Sequence, residues 1–73
     1  GVGFPDLIAF RRKLEGYEVV GVEVKTNGNL DKVEREKCNW LLDNKIFNQI
    51  LIAQKGEKRG EIEFIDFSKK YGQ

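Results

Sequence analysis

Between Tyr17 and Lys25 the side chains alternate with a period of two, and this segment leaves the chain least freedom. Val20, Val22 and Val24 fall on one face of an extended strand, and Val19, Gly21, Glu23 and Lys25 on the other. A strand with valines on both faces needs neighbours at its sides and a cover over at least one face. The flanking sequence supplies both. Phe4 to Phe10 predicts a buried strand, with Pro5 near its start, where a missing N–H matters least. Arg11 to Gly16 reads as a polar turn centred near Leu14 and Glu15, which makes the first two strands an antiparallel hairpin.

Thr26 to Asn29 is a loop, and a helix is expected from Leu30 to Asn44, with Asn29 as its N-cap and Asp31 in its first turn. Its apolar stripe would run through Leu30, Val33, Lys37, Leu41 and Asn44, with Cys38, Trp40 and Leu42 beside it. Trp40 reads as a packing residue and Cys38 as half-buried. Asn48 to Gln54 forms a third strand, Lys55 to Gly60 a charged turn, and Glu61 to Phe67 a fourth strand. The polar tail from Ser68 to Gln73 has room for a short helix. A strand–helix–strand unit makes strands two and three parallel through a right-handed crossover. The expected fold is α/β in the broad sense (α+β): one domain over residues 1–73, with a small mixed four-stranded sheet and a helix on one face.

Composition narrows the chemistry. A chain of 73 residues buries only about 60% of its unfolded surface, so it gains from a partner, a metal or dense charge pairing. One cysteine excludes an internal disulfide framework, and the absence of histidine excludes His ligands and His acid–base catalysis. Any metal must be a hard cation held by oxygens. The longest apolar run, Ile50 to Ala53, is far too short to span a membrane, and no signal peptide is visible, so a soluble cytoplasmic protein is expected. A net charge of +1 exerts no global pull on nucleic acid, so local clusters or dimerisation must supply it.

The hairpin suggests a site. A turn near Leu14 and Glu15 would set Asp6 almost opposite Glu23, with Lys25 two residues further on the same face. Two neighbouring carboxylates repel, and a divalent cation between them removes the repulsion. Mg²⁺ suits such a pair, because it takes one or two carboxylates and keeps water or phosphate oxygens as its other ligands. The Val24 carbonyl is a further candidate ligand, and Lys25 could position a water or neutralise developing charge in phosphodiester hydrolysis. The plainer reading makes Asp6 a turn residue and Glu23 with Lys25 an exposed cross-strand pair.

The segments Gly3-Phe4-Pro5-Asp6-Leu7-Ile8, Val22-Glu23-Val24-Lys25 and Trp40-Leu41-Leu42 together resemble the PD-(D/E)XK nuclease superfamily, with the VRR-NUC domains and archaeal Holliday junction resolvases nearest. The similarity runs over roughly Gly3 to Ala53. It implies a restriction-endonuclease-like core and a Mg²⁺- or Mn²⁺-dependent nuclease, with Asp6 and Glu23 as metal ligands and Lys25 as the catalytic lysine. VRR-NUC proteins usually carry a glutamine three residues before a Trp-Leu pair. Here that position is Lys37, which would reach the active-site face or a DNA phosphate, or else simply snorkel from the helix edge. The superfamily normally begins with a helix bearing a further glutamate, for which this chain has no room; that helix is expected to be lost, truncated or replaced by another subunit.

Arg11 to Lys13, Lys55, Lys58, Arg59, Lys69 and Lys70 are candidate phosphate contacts, though mixed charge of this kind is more often a solvated surface. The loop Thr26 to Asn29, directly after Lys25, is better placed to touch a substrate backbone than the hairpin turn. The apolar Ile62, Phe64, Ile65 and Phe67 would offer an edge strand as the seam of a homodimer. Two readings follow. One is a homodimeric metal-dependent endonuclease cutting branched or structured DNA. The other is a nuclease-fold module without activity that binds DNA or a protein partner, or a fragment of a larger nuclease.

Overall fold

The computed structural model describes residues 5–72. Strands β1 (Leu7–Lys13) and β2 (Gly16–Val24) form the hairpin, and helix α1 (Lys32–Asp43) follows. Strands β3 (Gln49–Lys55) and β4 (Ile62–Asp66) and the short helix α2 (Phe67–Tyr71) complete the order. The strands build one mixed sheet in the order β1-β2-β3-β4, with β2 and β3 parallel and both outer pairs antiparallel. The expected α+β fold is the one observed, with a helix in the tail. The start of the expected first strand, Phe4, lies outside the described residues.

The hairpin is tighter than the Arg11 to Gly16 turn expected of it. β1 stays paired through Lys13↔Gly16, so only Leu14 and Glu15 turn. Gly16 closes the turn at φ +134°, a conformation that suits a residue without Cβ.

α1 covers one face of the sheet. Leu30, Cys38, Phe47, Ile50, Ile52 and Phe67 are buried there, with Val19, Leu41, Leu42, Ile65 and Tyr71 packed around them. The helix is capped by Asp31, not Asn29. The Asp31 side chain accepts the Glu34 N–H at 2.8 Å, and Glu34 Oε1 accepts the Asp31 N–H at 3.0 Å, a reciprocal capping box. Asn29 is used elsewhere, accepting a hydrogen bond from Lys70 Nζ at 3.0 Å. The inward stripe is accordingly Cys38, fully buried, with Leu41 and Leu42 half-buried beside it and Leu30 buried just ahead of the helix. Trp40 is two residues past Cys38, about 200° round the helix, and is 59% exposed, so the packing role expected of it is not observed. Val33 is exposed for the same reason, and Cys38 is fully buried, not half-buried.

β1 is not the buried strand expected. It forms an edge of the sheet away from α1, and every one of its residues is exposed. Across β4 the alternation divides the apolar residues between faces. Ile65 and Phe67 join the core, while Ile62 and Phe64 stay exposed, so the seam expected over all four is split. Among the described residues no helix is long and apolar enough to cross a membrane.

Candidate active site

The site lies where the hairpin ends, on the face that α1 covers. The last paired residues there are Leu7 and Val22, and one further step of that register sets Asp6 opposite Glu23. Two packing features bring Asp6 to this position. Gly21 has no side chain, and Pro5 and Phe47 lie where its Cβ would point, at 3.3 and 3.5 Å. The N–H of Val24 falls beyond the end of β1, and Asp6 Oδ2 accepts it at 2.8 Å. The aspartate side chain thus takes the place of a missing strand residue, as buried or paired backbone donors require.

Glu23 is the one charged residue in the core among those described, only 5% exposed. Burial removes its carboxyl from water, and a hydrogen bond to Asp6 and the nearby Asp6 and Glu34 charges add to the effect, pushing its pKa up to about 7. Asp6 moves the other way. Its hydrogen bonds from the Glu23 carboxyl and the Val24 N–H stabilise the ionised form and hold it below the usual carboxylate range. The pair therefore holds one shared proton below about pH 7 and loses it as the pH rises through that value.

Lys25 lies on the same face, where α1 begins. Its Nζ stands 2.5 Å from Glu34 Oε2, with both side chains partly buried, and the hydrogen bond to Glu34 raises its pKa. Asp6, Glu23, Lys25 and Glu34 thus form one electrostatic group. Cys38 lies behind them. Burial, followed by the Glu23 and Glu34 charges, pushes its thiol up to about 12, which rules out a thiolate nucleophile there at neutral pH. Lys37 stands three residues beyond Glu34 on α1, exposed.

Glu34 is the member that sequence reasoning missed. The signal was present: Asp31-x-x-Glu34 is a capping-box spacing that places a carboxylate at the third helical position. The loop after Lys25 is held by α2. Lys70 Nζ donates to Gly28 O at 2.7 Å and to Asn29 Oδ1 at 3.0 Å, and the Leu30 N–H donates to Tyr71 Oη at 3.0 Å. Lys70, a candidate phosphate contact by sequence, is a loop anchor in the structure.

Among the described residues no group of three or more His, Cys, Asp and Glu side chains is arranged as a metal cage. The donor set at the hairpin end is two carboxylates. That set suits Mg²⁺ or Mn²⁺, which bind through one or two carboxylates and complete their shells with water and phosphate, and it does not suit a site built wholly from protein ligands.

The fold and site define a small mixed α+β domain with a carboxylate pair at one end of a hairpin. No protein-family model, curated protein or solved structure matches the chain.

Proposed function

We propose that the chain is the core of a metal-dependent DNA endonuclease, acting in the cytoplasm on branched or structured DNA of the Holliday-junction kind. The observation that carries this reading is the placement of Asp6 against Glu23 with Lys25 on the same face. A buried carboxyl is costly to hold beside a second one, and a Glu23–Asp6 pair kept in place by a backbone N–H and a bare glycine is a natural cation site. Asp6 and Glu23 would hold Mg²⁺ or Mn²⁺, with the Val24 carbonyl as a further ligand. The bound ion supplies charge stabilisation on the phosphate and lowers the pKa of a coordinated water.

Lys25 is the residue that faces the substrate phosphate, kept cationic by Glu34. Lys37 would contribute a second cation from α1. Glu34 positions Lys25, because one carboxylate oxygen holds the ammonium while the other is fixed to the helix start.

A second reading has its own observation. Lys25 is already committed to Glu34 at 2.5 Å, as it would be in a nuclease-fold module that binds DNA or a protein partner without cutting.

One assay separates the two. Four-way junction, flap, single-stranded and duplex DNA are incubated with the protein and Mg²⁺, Mn²⁺ or EDTA, alongside Asp6→Ala and Lys25→Ala. The nuclease reading expects metal-dependent cutting, lowered at least ~100-fold by either substitution. Folded wild-type protein that binds these DNAs and leaves them intact supports the binding module.

A further inference from the structure

The geometry points to β1 as the seam of a two-fold homodimer, formed by antiparallel pairing of β1 with β1 of a second copy about Ala9. This inference stands on the edge strand itself and does not depend on the nuclease reading.

The backbone direction of β1 follows from its neighbours. Val19 exchanges hydrogen bonds with Asn48, its O accepting from Asn48 N at 2.8 Å and its N–H donating to Asn48 Oδ1 at 2.7 Å. Lys25 N donates to Ala53 O at 2.9 Å. Odd-numbered residues of β2 therefore bond toward β3, and even-numbered ones toward β1. Through the pairs Leu7↔Val22, Ala9↔Val20 and Arg11↔Glu18, the odd residues of β1 are satisfied by β2. The N–H and C=O groups of Ile8, Phe10 and Arg12 point out of the sheet.

Such an edge accepts another strand. Only some registers satisfy the outward groups, because even residues must pair with even ones. The register centred on Ala9 sets Ile8 opposite Phe10 of the second copy, and Asp6 opposite its Arg12. Ile8 and Phe10, 56% and 70% exposed in one chain, would close into a four-residue apolar cluster across the axis. The basic end of each strand meets the acidic end of the other. The opposite edge cannot do this with itself, because Glu61 to Asp66 carries Glu61, Glu63 and Asp66 and no basic residue, so a self-paired β4 would set like charges together.

The result is a continuous eight-stranded sheet with both Asp6–Glu23 pairs on one face. The two Asp6 positions stand six residues apart along the strand direction, roughly 20 Å. Arg12 of each copy lies beside Asp6 of the other, so the second copy contributes a cation to each site.

Single-cysteine replacements on β1 test this, since Cys38 is fully buried and does not compete. Ala9 would face its own counterpart in a non-hydrogen-bonded pair, where Cα atoms approach to about 4.5 Å, within disulfide reach. Under mild oxidation Ala9→Cys is expected to cross-link into a species of twice the 8.4 kDa chain mass, and Phe10→Cys is not. Sedimentation of unmodified wild-type protein at ~100 μM is expected to show the dimer. Phe10→Glu is expected to weaken it at least ~30-fold with an unchanged far-ultraviolet circular dichroism spectrum. Monomeric wild-type protein at that concentration would overturn the proposal. So would cross-linking of Phe10→Cys as fast as Ala9→Cys, or open-ended oligomers in place of the dimer, which would indicate β1 pairing with β4 of the next copy.

Discussion

Glu34 holds Lys25 with one carboxylate oxygen, at 2.5 Å, and the N–H of Asp31 with the other, at 3.0 Å. A single side chain thereby ties the end of β2 to the start of α1. Removing it takes away half of a capping box and a partly buried ion pair together. Glu34→Ala is expected to lower stability by about 1–2 kcal/mol, a fall in melting temperature of about 5–15 °C for a domain this small. Glu34→Gln keeps an acceptor for the Asp31 N–H and loses only the charge, so it should cost less than half as much. Equal losses for the two substitutions, measured by thermal denaturation, would show that the cap contributes nothing.

Glu23 gives the stability a distinctive pH dependence. Its carboxyl titrates near 7 in the folded chain, against an ordinary value of 4.5. The folded state therefore binds more protons than the unfolded state between those values, and stability must fall as pH rises through that window. The contribution is complete below about 4.5 and gone above about 7. Asp6 has the opposite sign: its lowered pKa favours folding above the ordinary aspartate value, and this contribution is lost only in stronger acid. Urea denaturation from pH 4.5 to 8 should show the decline. Glu23→Gln should flatten it and raise stability at pH 8 by about 1–2 kcal/mol. A flat wild-type profile would mean that Glu23 is ionised at little cost.

A divalent cation should reverse the same penalty. At pH 8, Mg²⁺ or Mn²⁺ at ten times its dissociation constant is expected to raise stability by about 1.4 kcal/mol, and EDTA should remove the gain. Asp6→Asn and Glu23→Gln should each abolish it. Thermal shift against metal concentration is the measurement, and a gain that survives both substitutions would place the cation elsewhere.

The helix stripe predicts a contrast between two large apolar residues. Ile52 is fully buried beneath α1, whereas Trp40 faces outward. Ile52→Ala should cost about 2–5 kcal/mol through lost burial and the cavity left behind. Trp40→Ala should change stability by no more than about 0.5 kcal/mol. A costly Trp40 substitution, by chemical denaturation, would mean that the indole packs against something outside the single chain.

Much of this architecture was legible along the chain. The alternation from Tyr17 to Lys25, the turn at Leu14 and Glu15 and the strand–helix–strand order determined the hairpin, the parallel β2–β3 pair and the opposition of Asp6 to Glu23. The hairpin and the Asp6–Glu23 opposition follow from local periodicity and a turn centred on Leu14 and Glu15, and the parallel pair follows from the right-handed crossover. Tertiary structure alone decided the rest. It made β1 an exposed edge despite its apolar sequence, because α1 packs over β3 and does not extend over the outer strand. It turned Trp40 outward and Cys38 inward, because only one face of α1 meets the sheet and these two residues lie about 200° apart on the helix. It also gave Lys25 to Glu34, a pairing between a strand end and a helix start that no local pattern specifies, since it depends on how the crossover lays α1 against the sheet.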